Sequence, residues 1–166
     1  MLYPARFLKD IVGDNTNLIP LIVFENLDIN ISTARINIGV GKTFHDQSYP
    51  VDVWFDPILL NMPTISQKLD IGTRKFKISS VKLEISNLEY NGEIFSEKLS
   101  ERSLLNEMVS IHLKSQGTNR VDTYEHIRNS AYSLVQHYEE HEESCPIIYE
   151  GYIKDISHGI EKLTNV

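Results

Sequence analysis

The stretch Arg74–Ser86 limits the fold more than any other part of the chain. Phe76 and Ile78 share one face of an extended backbone. Val81, Leu83 and Ile85 share the opposite phase, and Lys75, Lys77, Lys82 and Glu84 fill the gaps. Strand side chains alternate with a period of two, so a reversal of phase at Ser79-Ser80 requires a bulge or a sharp bend. A long strand bent in this way turns a corner in a barrel or sandwich.

The rest of the chain agrees with a β fold. Gly13 to Asn17 is a cluster of turn formers, so the leading residues read as an arm. Leu21-Ile22-Val23-Phe24 after Pro20 reads as a buried strand. Ile29 and Ile31 alternate with polar residues, and Ile36, Ile38 and Val40 alternate in the opposite phase, which places a turn or bulge near Ser32 to Arg35. Val51, Val53 and Phe55 form a strand ended by Asp56-Pro57. Asn91-Gly92 is the strongest hairpin signal. Ser96 reads as the N-cap of a short helix, about 97–104, and Met108 to Lys114 as a strand followed by a loop at Gln116 to Asn119. Tyr124, Ile127, Ala131, Leu134, Val135 and Tyr138 recur at helical spacing, with Asp122 and Glu125 at capping-box spacing, so a long helix is expected over about 123–140. Pro146 forbids its continuation. Ile147 to Ile156 returns to strand with Gly151 at a bulge, His158-Gly159 turns, and Ile160 to Val166 begins another strand with an edge that wants pairing.

Composition narrows the class. The 166 residues are 41% hydrophobic and 23% charged, enough for a buried core, and fit a single β-rich domain over 1–166 with an arm at 1–17. A net charge of −7 argues against nucleic-acid binding, which needs clustered Lys and Arg. Cys145 stands alone, so no internal disulfide is available. The leading residues lack the apolar run of a signal peptide, and runs such as Leu21–Phe24 are too short to span a bilayer, so no membrane insertion is expected.

Several residues invite a functional reading. Gly39-Val40-Gly41-Lys42-Thr43 ends like a phosphate-binding loop, but Ile36 occupies the position of the required first glycine and turn-like residues follow. An ordinary glycine-rich turn is the better reading. His137 and His141 lie one helical turn apart beside Glu139, Glu140, Glu142 and Cys145, a spacing that suits zinc. The set is incomplete, because His126 lies about 16 Å away along a straight helix. A solvated acidic helix end with incidental histidines is preferred. The acids at 139, 140, 142 and 143 oppose the helix macrodipole and would suit a basic partner, or a frayed, hydrated end. Lys68, Arg74, Lys75, Lys77 and Lys82 read as a wet strand face more readily than as a single-strand binder. No nucleophile elbow and no carboxylate pair stands out, and Cys145 beside Pro146 reads as a small, half-buried side chain. No catalytic residue, cofactor or metal is assigned.

The passage Ser66 to Asn87 resembles a recurring passage in structural tail proteins of marine bacteriophages. Tyr90-Asn91-Gly92, Phe95 to Leu99, Val109 to Gln116 and Tyr149 to Ile153 extend the resemblance, and Pro20 to Val23 and Ile31 to Ala34 look like its opening. The chain departs from the pattern at Thr118 to Ser144, where the long helix replaces a short connection. Family members look longer, so this chain reads as a leading domain or a fragment. The resemblance implies a tail component near the hub or baseplate, assembled in the host cytoplasm, that forms homo-oligomeric rings with other virion tail proteins.

The expected fold is therefore mainly β: a β-barrel or sandwich with one inserted long helix and one short one. The expected role is structural. A receptor- or carbohydrate-binding module is the first rival, for which Trp54, Tyr49 and Phe55 are the available aromatics, though alternation splits Trp54 from Phe55. A tail-associated hydrolase, which needs paired carboxylates or a metal in a cleft, is the second.

Overall fold

The computed structural model describes residues 3–13, 17–24, 27, 29–41, 50–65, 67–70, 75–78, 80–100, 103–122 and 134–156. Its centre is strand β1 (Ile19–Phe24), buried on both faces. Ile22 and Phe24 enter one apolar cluster with Ile31, Leu59, Val109 and Ile111. Leu21 and Val23 enter a second with Ile38, Phe55, Val121 and Cys145. An uninterrupted apolar run is what such a position requires, because an alternating strand would bury polar groups on one side. β2 (Ile29–Ser32) and β7 (Met108–Lys114) flank β1 antiparallel, and β9 (Ile147–Tyr152) pairs beyond β7, giving the order β2-β1-β7-β9. Pro20 lies inside β1 rather than before it. β2 pairs only with Leu21 to Phe24, so its ladder has ended where Pro20 lacks a donor.

A second sheet covers the Leu21/Val23 face. Its order is β4-β3-β8, with β3 (Ile36–Gly41) antiparallel to β4 (Pro50–Phe55) and parallel to β8 (Arg120–Asp122). Two corners join the sheets. Past β4, the Asp56 N–H donates to Asn30 O, and the Asp56 and Ser32 carbonyls accept from Ser32 and Leu59, so the chain changes sheets to lie beside β2. Opposite, the Glu143 carbonyl accepts from Asn119 and Arg120, and the Cys145 N–H donates to Arg120 O (2.6 Å), before Pro146 O accepts from Leu113 and β9 begins. Among the described residues the fold is mainly β, and neither sheet closes into a barrel.

The other face of the central sheet is covered by the chain from Val81 to Leu104. Val81, Leu83, Ile85, Tyr90, Phe95 and Leu99 all pack on the first cluster. Val81, Leu83 and Ile85 thus share one half-buried face, in the phase read from the sequence. The stretch is not one continuous ladder, however. β5 (Gln67–Asp70) and β6 (Lys75–Ile78) make a separate hairpin, and beyond Ser80 the chain is extended with a single bridge, Leu59 to Ile85. Pro57 and Pro63 bracket the partner segment and withhold ladder donors. Ser79 itself lies outside the described residues. Asn91 (φ 53°) and Gly92 (φ 81°) form the expected two-residue turn, closed by reciprocal hydrogen bonds between Tyr90 and Glu93.

Three other expectations change. The short helix is α2 (Phe95–Ser100), not 97–104; the Asn87 side chain caps it by accepting the Ser96 N–H (2.8 Å), and Leu104 leaves the helix to enter the core. Of the long helix 123–140, only α3 (Leu134–Glu140) is described, and 123–133 lie outside the described residues. The register shift in β9 falls opposite Ile111/His112, not at Gly151, which pairs regularly with Val109 and lies under the Tyr149 ring. The final expected turn and strand, 157–166, lie outside the described residues.

The leading segment, read as an arm, carries helix α1 (Ala5–Ile11) with Phe7 buried. The Asp10 carboxylate fastens it to the loop after β7, accepting from the Ser115 hydroxyl and the Gly117 N–H, both at 2.6 Å. These bonds, with Ser115 the larger influence, hold the Asp10 carboxyl below its usual range.

Two outcomes follow from this packing. Ile22→Ala should cost about 2–4 kcal/mol in denaturant unfolding, the range for deleting a buried aliphatic side chain. Val23→Ala, one residue away, should also destabilise clearly, because each neighbour fills a different core. Asp10→Ala should speed tryptic cleavage after Arg6 and Lys9, both exposed, while the thermal midpoint of the remaining domain changes little.

Candidate functional site

The densest cluster of buried polar groups centres on Asp122 at the end of β8. Pairing with β3 on one side and the 143–145 corner on the other holds the strand in place. Among the described residues, three side chains donate to its carboxylate. Arg120 Nε reaches Oδ1 at 2.8 Å, and His137 Nε2 and the Ser144 hydroxyl reach Oδ2 at 2.8 and 3.1 Å. Asp122, His137 and Ser144 are all nearly inaccessible. Burial alone would raise the Asp122 carboxyl, but the His137 hydrogen bond and the Arg120 charge outweigh it and bring it down to about 2. Asp122 thus serves as an acceptor for Arg120, His137 and Ser144, and the capping-box partner Glu125 lies outside the described residues.

The residue types invite comparison with a serine hydrolase, and the geometry answers it. In a triad the serine hydroxyl donates to histidine, and the carboxylate holds the far side of the ring. Here Ser144 and His137 both donate to the same carboxylate oxygen, so no base is aimed at the hydroxyl. What the arrangement does chemically is tie α3, β8 and the corner together.

A second polar group fills the space between the sheets. His112 pairs across the ladder with Leu21 and therefore points inward. Burial pushes its imidazole down to about 4, so it is neutral at pH 7. A carbonyl can only accept, so Nδ1 carries the proton and donates to Cys145 O (3.4 Å), leaving Nε2 to accept from Ser110 (3.0 Å). Asn30 also faces inward, and its buried Oδ1 has no hydrogen-bond partner among the described residues. Cys145 is fully buried, with its thiol on Thr118 (3.5 Å) and raised to about 11 by burial, so it is a poor nucleophile.

The sequence candidates are dispersed. His137 turns toward Asp122, while His141 Nδ1 lies 3.9 Å from Glu143, with the two rings 4.8 Å apart. Among the described residues no group of three His, Cys, Asp or Glu side chains has metal-ligand spacing. Gly39 and Gly41 belong to β3, Gly41 pairs with Pro50 across a hairpin, and 42–49 lie outside the described residues. Lys68 faces Lys77 across the β5–β6 register, Lys82 pairs with Glu84 at 2.8 Å, and Arg74 lies outside the described residues. Phe55 is in the core, Tyr49 is outside the described residues, and Trp54 is 53% exposed under the Arg35 guanidinium, 4.6 Å from the ring centroid. The Asp122 cluster and the inward pair Ser110/His112 had no sequence signal. Polar residues alternating with Val109 and Ile111 look the same whether a second sheet covers them or water does.

Acid should act in two windows. The unfolded His112 binds a proton near pH 6.5 and the folded one only near 4, so stability should fall by about 3 kcal/mol as pH drops through that interval. Asp122, depressed when folded, stabilises above its ordinary value near 3.8, and that contribution should vanish as pH falls toward about 2. Unfolding free energies at a series of pH values check both, and His112→Gln should flatten the upper window. Asp122→Ala should cost about 3–5 kcal/mol at pH 7, because it strands buried donors.

No protein-family model, curated protein or solved structure matches the chain, so function has to be argued from the molecule itself.

Proposed function

We propose that the chain is a structural component of a phage tail, in the hub or baseplate region, that works by oligomeric assembly with copies of itself and other tail proteins. The observation that carries this reading is where the polar groups go. Asp122, His137, Ser144, Arg120, His112 and Ser110 bond to one another or to backbone, so among the described residues these buried groups act as ties between elements. Meanwhile β9 has only β7 beside it among the described residues, and Tyr152, Leu105 and Ile156 are exposed near that edge. An edge strand with apolar neighbours is suited to packing against another chain. The resemblance to tail proteins of marine phages, over most of the chain and better from about 58 to 116, supports the same reading. We further read the two sheets as a sandwich with the inserted helix packed across it. The hydrogen bonds that run through both corners support that, as does the docking of α3 on β8 through Asp122.

The exposed Trp54 and Arg35 favour one second reading, a receptor- or carbohydrate-binding tail module. Light scattering on the purified chain tests the first reading. A mass several times the 19.1 kDa of one chain, together with labelling at the tail tip in micrographs of the parent particle, is the expected result. A monomer at high concentration with no tail partner would overturn it. Glycan retention lost on Trp54→Ala would favour the second.

A further inference from the structure

We propose that one copy docks the Arg35–Trp54 face onto the acidic end of α3 in the next copy, a head-to-tail contact; this rests on the assembly reading above. The first half of the contact is an outward patch on the β4 flank of the second sheet. Trp54 is the only tryptophan in the chain and projects away from the core, opposite the exposed Asn37 in the β3–β4 register. The Arg35 guanidinium lies over its ring and has no carboxylate partner among the described residues. Stacking holds the guanidinium in place while leaving its N–H groups free for an acceptor. Gly39, next on this face, keeps the surface low, and among the described residues of the patch Arg35 is the only cation, with Asp52 opposite Gly39. Tryptophan and arginine are the residues most enriched where protein contacts are strongest.

The second half lies at the far flank of the same sheet. Glu139 and Glu142 are exposed at the C-terminal end of α3 and have no Lys or Arg partner among the described residues. The helix end disfavours them, so their own fold does not account for them. The sheet runs β4-β3-β8, and the corner at 143–145 pairs beyond β8, so the cationic patch and the acidic end occupy opposite borders. Complementary patches on opposite borders cannot meet within one molecule, and between copies they repeat in one direction. Such heterologous contacts close into rings or extend into filaments. A net charge of −7 opposes indiscriminate self-association, so a contact that sets cation against acid also selects the register.

The test is sedimentation or light scattering of the full chain and variants, with circular dichroism and thermal midpoints confirming the fold. Arg35→Glu, Trp54→Ala, and the pair Glu139→Arg with Glu142→Arg should each raise the half-assembly concentration about tenfold or more, as loss of a strong contact residue does. Combining Arg35→Glu with the acidic-end reversals should restore assembly, and high salt should weaken the wild-type contact. If Trp54→Ala alters the fold, Trp54→Phe with Arg35→Glu replaces it. Wild-type oligomers indifferent to Arg35→Glu and Trp54→Ala would overturn this contact and leave the assembly reading standing. Weakening at both ends without rescue by the combined reversal would overturn the pairing. A wild-type monomer would remove both the contact and the assembly reading.

Discussion

Burial of β1 on both faces is the constraint from which the rest follows. A strand that offers Leu21 and Val23 to one side and Ile22 and Phe24 to the other needs a layer on each side. The three-stranded sheet is one layer. The 81–104 segment, with its hairpin and short helix, is the other. Each layer packs its apolar residues on what β1 and its neighbours present to it. The same demand explains why β2 and β7, which flank β1, must bury Asn30, Ser32, Ser110 and His112.

Apart from the Asn30 Oδ1, those inward polar side chains need partners where water does not reach. Ser110, His112 and the Cys145 carbonyl form one chain, and the loop after β7 continues it through Ser115 and Thr118 to Asp10 on α1. Asp122 does the same on the outer face of β8, gathering Arg120, His137 and Ser144. Each bond contributes little net stability, yet leaving one partner unmet inside the fold is costly. Such networks therefore fix how elements sit more than they raise stability.

Most of the strands were legible because their apolar residues alternate or run together. β1, β4, β7 and the reversal between β2 and β3 could be read in that way, and Asn91-Gly92 announced its turn. β5 was not, since Gln67-Lys68-Leu69-Asp70 carries one apolar residue and gains strand form from pairing with β6. The cap of α2 was misread because Asn87, nine residues from Ser96, supplies it across a hairpin. The part of Asp122 as a buried acceptor was not legible, because a capping box and a buried acceptor share the same local spelling. Distance along the chain hides both. The candidate site was less legible than the fold for the same reason: Arg120, Asp122, His137 and Ser144 meet only once β8 and the following corner are paired.

The two corners have a mechanical consequence. A pair of sheets held only by side chains can shear or splay apart when pulled. Here the backbone itself crosses from one layer to the other at Asp56–Leu59 and again at Glu143–Ile147, on opposite borders. Tension applied across the layers is therefore borne by covalent chain and by hydrogen bonds loaded in parallel, so the layers should yield together and late under force.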